Sequence, residues 1–304
     1  MCANEQSISV INGKILAGEA KVYTEMELRD LMETGTDLMC LGVDVVTTAF
    51  RSSISGSAAM LLVPVTGRGI FTRAKKIWLN RVPGYPGPAP NERLGVVDTL
   101  IFTDQVCDDA EGDHTGAKLL VDVLNDDVIQ VECLSVEGTT YHSSFSLKTL
   151  QFARMVTYNT FIPLSRINDG DDANGANEHL RTIRVGNKVL LNKASGIVVG
   201  CGTRGSSERN SLSLSADMFE MDPKCLVQTD GGVDLPVAHS VALTIPVLNV
   251  AVLESVTAYL GRMEPGENNR YFHESDEEMA AYLKELVLKR EFMPADSDAE
   301  ALCA

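Results

Sequence analysis

The hydrophobic and polar positions of this 304-residue chain change rhythm part-way along it. Up to Asn125, apolar runs alternate with helix-period segments, and beyond it period-two stretches broken by glycine take over. Thr24 with Glu27 is a capping box, and the helix it opens carries Leu28, Leu31 and Met32 before a stop near Gly35. Residues 43–49, VDVVTTA, are β-branched and nearly all apolar, the pattern of a strand covered on both faces. RSSISGSAAM follows and reads as a glycine- and serine-rich turn. KKIWLN (75–80) and VVDTLIF (96–102) read as strands joined by a proline-rich crossover, VPGYPGPAPNERLG. Leu119, Leu120, Val123 and Leu124 give the buried face of a helix over 115–125.

The second rhythm predicts hairpins. DVIQVECLSV and TTYHSSFSL flank Glu137 and Gly138, and RTIRV and KVLLN flank Gly186 and Asn187 in the same way. Further on, HSVALTIPVLN reads as a strand, with Asn249 capping a helix through Leu253 and Val256. A last helix opens at Ser275 with Glu278 three positions later, placing Met279, Tyr282, Leu283 and Leu286 on one face; the tail ADSDAEALCA frays. Together these elements predict an α/β fold, a mixed sheet core with packed helices and β-hairpins in the second half. The polar, glycine-rich stretch INDGDDANGANEH is a loop. It suggests a first half over 1–168, a loop over 169–177 and a second half over 178–304, with one continuous domain left open.

Charge and cysteine usage narrow the function classes. Forty-two acidic residues against 26 basic ones give a net charge of −16, which repels nucleic acid and anionic membrane surfaces. There is no apolar run of membrane-spanning length, and MCANEQSISV lacks the features of a signal peptide, so a cytoplasmic protein is expected. The seven cysteines are scattered and never form CxxC, which argues against a disulfide framework, a zinc ribbon or a locally bound iron–sulfur cluster.

The chemistry-bearing candidates gather in VVGCGTRGSSERN (198–210). A phosphatase loop would need an arginine six positions beyond Cys201, where Ser207 stands, and Arg204 is only three away. No glycine-rich turn ends in Gly-Lys-Ser or Gly-Lys-Thr, and the third glycine of a dinucleotide fingerprint comes one position late. DGDDANG fails as an EF-hand because Ala173 and Leu180 occupy ligand positions. The five histidines show no HxxxH or HxH spacing, and there is no GxSxG elbow, so neither a metal site nor a serine hydrolase is indicated. What survives is a turn whose exposed amides and Arg204 can hold a carboxylate or phosphate, beside a thiol. A cysteine at a strand end is equally a small buried hydrophobe.

Several stretches, in order from about residue 11 to residue 255, resemble one family: INGKILAGEAKVYTEMEL, VDVVTT, SGSAAM, KKIWLNRVPGYPGPAPNERLGVVD, TIRVGNKVLLNKASGIVVGCGTRGSS, LSLSADMFEMDP and IPVLNVAVL. The family is that of the homocysteine-biosynthesis proteins described as L-aspartate semialdehyde sulfurtransferases, with relatives called methanogenesis marker metalloproteins; PGPAPNERLG is closest to the latter branch. The resemblance implies an enzyme that moves sulfur onto aspartate semialdehyde, with a cysteine carrying a persulfide and a reductant returning electrons. It departs from the family in having Ser55 where the sulfurtransferases carry a cysteine, and an amphipathic helix with an acidic tail where relatives carry a ferredoxin-like domain or nucleotide-sensing modules. The electron donor would then be a separate ferredoxin-like iron–sulfur protein, with no bound cofactor or metal of the chain's own. A homo-oligomer is left open.

The expected site collects the turns at 47–57, 80–93 and 200–207. Cys201 or Cys133 would carry sulfur, although Cys133, in QVECLS, also suits a buried core. Arg93 and Arg204 would hold a carboxylate, with Arg51 as a third candidate, and Thr47, Thr48 and Ser55 would hydrogen-bond the substrate. Gly56, Asn80, Gly84, Asn91, Glu92, Gly202, Thr203 and Ser206 complete the binding turns. The structural alternatives are surface ion pairs for the arginines and strand-end capping for the threonines. A second class of function stays open: a paralogue without sulfur transfer that binds a metabolite or a partner protein.

Overall fold

The computed structural model describes residues 5–53, 56–87, 90–107, 114–161, 182–201, 211–228, 237–260 and 274–295. Along the chain run α1 (Ile8–Ala17), β1 (Val22–Thr24), α2 (Glu25–Glu33), β2 (Val45–Ser53), β3 (Ser57–Pro64), β4 (Ala74–Leu79), β5 (Val82–Pro86), β6 (Val96–Phe102) and α3 (Gly116–Leu124). There follow β7 (Ile129–Ser135), β8 (Thr140–Phe145), β9 (Ala153–Phe161), β10 (Lys188–Leu191), β11 (Ala194–Cys201), β12 (Ser211–Asp217), β13 (Leu226–Gln228), β14 (Val237–Pro246), α4 (Val250–Leu260) and α5 (Glu274–Leu288). This is the α/β architecture expected, with parallel and antiparallel pairs mixed. The chain divides into two compact units, one made of residues 1–52, 160–214 and 240–304, the other of 53–159 and 215–239. The loop at 169–177 and the acidic tail beyond Ala295 lie outside the described residues. No helix among the described residues is long and apolar enough to cross a membrane.

In the first unit the strands lie in the order β1-β2-β14-β10-β11-β12. β1 and β2 are parallel, with Val22 beside Val45 and Thr24 beside Thr47. Side chains alternate across a strand, so Val45 and Ala49 face one way. They join Val22, Leu190 and Ala242 in a core with Ile11 and Ile15 of α1 and Met279, Leu283 and Val287 of α5. The expected apolar face of α5 holds except at Tyr282, which is 37% exposed. α1 has no counterpart among the sequence-predicted elements; Ser7 caps its start and Gly18, at φ 75°, ends it. The Thr24–Glu27 capping box forms as predicted, and Glu27 also takes both its oxygens to Lys284 of α5 at 2.6 Å. Buried Asp44, just before β2, accepts hydrogen bonds from Lys14 Nζ at 2.5 Å, Gln6 Nε2 at 3.2 Å and the Lys21 amide at 2.9 Å.

The hairpin expected at Gly186–Asn187 sits elsewhere. β10 turns into β11 through Asn192 and Lys193, at φ 49° and 74°, with Leu191 opposite Ala194. Two consecutive positive φ angles are what a two-residue hairpin turn requires, and lysine gives no sequence sign of one. Residues 184–187 do form a turn, but one that folds back onto β11, Gly186 N donating to Val198 O at 2.8 Å.

The second unit is an antiparallel meander in the order β9-β3-β6-β5-β4-β7-β8, with β13 pairing the first residues of β14. Here RSSISGSAAM is mostly strand: Arg51–Ser53 ends β2 and Ser57 begins β3. The proline-rich segment is likewise no crossover, because β5 pairs with both β4 and β6. Asn80 and Arg81, at φ 45° and 68°, make the tight turn between β4 and β5. The β7–β8 hairpin and the α3 helix, capped by Thr115, stand where the sequence placed them.

Candidate functional site

The first unit concentrates buried polar groups around β2. Its alternation puts Thr47 and Arg51 on the α5 side and Thr48 on the opposite side. Thr48 donates its hydroxyl to Glu25, the first residue of α2, and the other carboxyl oxygen of Glu25 is buried without a partner. Burial pushes the Glu25 carboxyl from 4.5 up to about 7, with the Thr48 hydrogen bond and the charge of Arg29 pulling the other way. On the α5 side, Arg51 Nε lies 3.9 Å from Oδ2 of buried Asp276. Ser240 donates its hydroxyl to Asp276 Oδ1 at 3.0 Å, and its amide donates to Asn192 Oδ1 at 3.1 Å. The hydroxyl oxygen of Thr47 is buried and has no hydrogen-bond partner. Apart from these groups, a cleft of about 540 Å³ opens at the start of α1 between Gln6, Ser7, Val10, Lys14, Val43 and Asp44.

The second unit holds a buried serine–histidine pair: Ser57 Oγ and His239 Nε2 are 2.9 Å apart and both residues are fully buried. Burial depresses the imidazole from 6.5 to about 3, so it is neutral across the physiological range. The Ser57 carbonyl accepts from the Thr103 amide at 3.0 Å, which pins the first residue of β3 from two sides.

The sequence-predicted residues are distributed unevenly over this frame. Thr47 and Thr48, expected at a turn, lie inside β2 and are buried. Gly56 keeps a turn conformation, at φ 90°. Asn80 gives its side-chain oxygen to the Gln130 amide at 2.8 Å, locking its own turn against β7. Gly84 has no room for a side chain, since a Cβ there would stand 2.7 Å from Thr99 Cγ2. Asn91 donates to Asp98 at 3.0 Å, and buried Glu92 accepts from the Ala74 amide at 3.1 Å. Arg93 is exposed, whereas Arg51 is tied to Asp276. Cys133 is fully buried in β7, its thiol pushed up to about 11 by burial and by the Glu92 charge. Cys201 ends β11; Ser55, Gly202, Thr203, Arg204 and Ser206 lie outside the described residues.

Glu25, Asp276, Ser57 and His239 were not among the expected site residues. Glu25 and Asp276 read as ordinary helix-start acids and His239 as the edge of an apolar strand, so only the fold reveals their burial. Among the described residues, no group of three or more His, Cys, Asp or Glu side chains gathers as metal ligands would.

Residues 20–162 and 175–259 match the family described as "Homocysteine biosynthesis enzyme, sulfur-incorporation". The chain belongs to this family. It is 33% identical to an uncharacterized protein of Methanothermobacter thermautotrophicus over 83% of its own length and 65% of that protein's. It is 24% identical to the L-aspartate semialdehyde sulfurtransferase of Methanosarcina acetivorans, over 83% of this chain and 56% of that one. It is 25% identical to the protein of that name from Methanocaldococcus jannaschii, over 82% and 55%. The chain therefore spans between about half and two thirds of the length of these relatives. No solved structure matches it.

Proposed function

We propose that this member of the homocysteine-biosynthesis family catalyses sulfur transfer to a small carboxylate-bearing aldehyde such as aspartate semialdehyde. The supporting observation is the family match along 20–162 and 175–259, in line with two relatives named as sulfurtransferases of that aldehyde. Converting the aldehyde to a thiol consumes one sulfide, two electrons and two protons and releases water. A separate ferredoxin-type iron–sulfur protein is the electron donor in this reading. Arg93 suits the substrate carboxylate, because its guanidinium is exposed while that of Arg51 faces Asp276.

One observation favours a second reading, a differently specialised paralogue that binds a metabolite or a partner protein. Ser55 occupies the place of the relatives' cysteine, and the Cys133 thiol is buried and held protonated. The test is to supply aspartate semialdehyde, sulfide and a low-potential reductant and to quantify homocysteine by mass spectrometry. Production above the protein-free rate is expected. None, with aspartate semialdehyde still binding, selects the paralogue.

A further inference from the structure

The thiol best placed for chemistry among the described residues is one that the sequence did not single out. Val106 and Thr115 form an isolated antiparallel bridge. Beyond it the Cys107 amide donates to the His114 carbonyl at 2.9 Å, and on the other side the Gly116 amide donates to Gln105 O at 2.7 Å. In that register Cys107 stands directly opposite His114, and directly opposed residues project to the same face. Thr115, the next residue, accepts from the Lys118 amide at 3.2 Å and caps α3, so the pair is anchored to the start of a helix. Both residues are half-buried, and His114 Nδ1 is fully buried with no hydrogen-bond partner. Asp122, one turn further along α3, lies within electrostatic reach of His114.

The other described cysteines are set differently. Cys133 and Cys225 are buried. Cys40 is exposed, but its Sγ donates to the Asp37 carboxylate at 3.2 Å, a neighbour that disfavours a thiolate. Only Cys107, among these four, combines access with an opposed imidazole, the arrangement that activates a nucleophilic thiol.

We propose that Cys107 is the reactive thiol of this chain, with His114 as its base and Asp122 supporting the imidazolium, and that it accepts sulfane sulfur. In the step, Cys107 Sγ attacks the terminal sulfur of a small persulfide or inorganic polysulfide, and its proton passes to His114. A new S–S bond forms as the donor's S–S bond breaks, and the donor leaves one sulfur shorter as a thiolate or polysulfide anion. No external oxidant or reductant enters the step. What the thiol carries rests on the sulfur-transfer reading; its reactivity does not.

The test uses the full chain. Limiting iodoacetamide, followed by peptide mass spectrometry, gives the alkylation rate of each cysteine as a function of pH, and incubation with sodium polysulfide shows where sulfur is gained. Cys107 should alkylate about tenfold faster than Cys40 and gain one sulfur. His114→Gln should slow Cys107 about tenfold and move its rate to higher pH, while the unchanged rate of Cys40 reports an intact fold. Equal rates at Cys107 and Cys40, an unchanged pH profile in His114→Gln, or sulfur loading at another cysteine would each overturn the assignment. Fast alkylation of Cys107 with no sulfur gained on any cysteine keeps the thiol–imidazole pair and rejects sulfur transfer.

Discussion

Thr48 donates its hydroxyl to one carboxyl oxygen of Glu25, and the second oxygen of that carboxyl is buried with no partner. Folding therefore favours the protonated acid, whose value rises from 4.5 to about 7. The group's contribution to stability is full below the unfolded value of 4.5 and is lost as pH climbs through 7. The loss amounts to about 3 kcal/mol. Glu25→Gln, which keeps the neutral shape, should be more stable than the parent at pH 8 and equal to it near pH 4.5. Urea denaturation at the two pH values checks this, and a constant difference between the proteins would reject it.

His239 works in the opposite sense. Its folded value, about 3, lies below the ordinary 6.5, so the unfolded chain binds the proton first. Its contribution is full above pH 6.5 and declines by about 1.4 kcal/mol for each pH unit below it. Between pH 6.5 and 4.5 the two groups oppose each other, in different units of the fold. Ser57→Ala removes the partner of Nε2 and should cost about 1–3 kcal/mol at pH 8. Chemical denaturation of that variant measures the cost, and a neutral result would mean that the 2.9 Å contact contributes nothing.

Local signals in the chain were legible, and long-range partners were not. The Thr24–Glu27 box, the Thr115 and Asn249 caps and the β-branched run of β2 each depend on neighbours within a few residues, and all stand as read. β5 was hidden by Pro83 and Pro86, which suggest a loop, although β5 lies between β4 and β6. The turns at Asn80–Arg81 and Asn192–Lys193 carry no glycine, so their positive φ angles leave no mark in the sequence. Ser57 and His239 are 182 residues apart, and Arg51 meets Asp276 only once β2 and α5 are packed. No periodicity encodes such pairs. The same limit explains the cysteines: Cys133 is recognisable as a strand residue, whereas the opposition of Cys107 to His114 depends on a bridge at Val106–Thr115.

The Lys193 turn makes a test of backbone strain. A lysine held at φ 74° sits in the left-handed region, where glycine is unstrained. Lys193→Gly should stabilise the protein by about 0.5–1 kcal/mol, and Lys193→Val should destabilise it more than that. Paired thermal melts give the comparison; a loss of stability in the glycine variant would show that the lysine side chain outweighs its backbone strain.

Gly116 sets the closest approach in the second unit. A Cβ at this first residue of α3 would stand 1.9 Å from the Phe102 carbonyl oxygen, which belongs to β6. Backbone cannot yield as a flexible side chain does, so Gly116→Ala must push α3 away from the strand and should cost about 1–3 kcal/mol. The displacement also moves Thr115, and with it the register that opposes Cys107 to His114. The variant should therefore lose both stability and the rapid alkylation of Cys107, while Gly13→Ala, whose added Cβ meets nothing within 4 Å, should leave both intact. Denaturation and alkylation measured on the same two variants separate the outcomes. If Gly116→Ala destabilises the protein but leaves the Cys107 rate unchanged, the anchoring of the thiol by α3 is wrong.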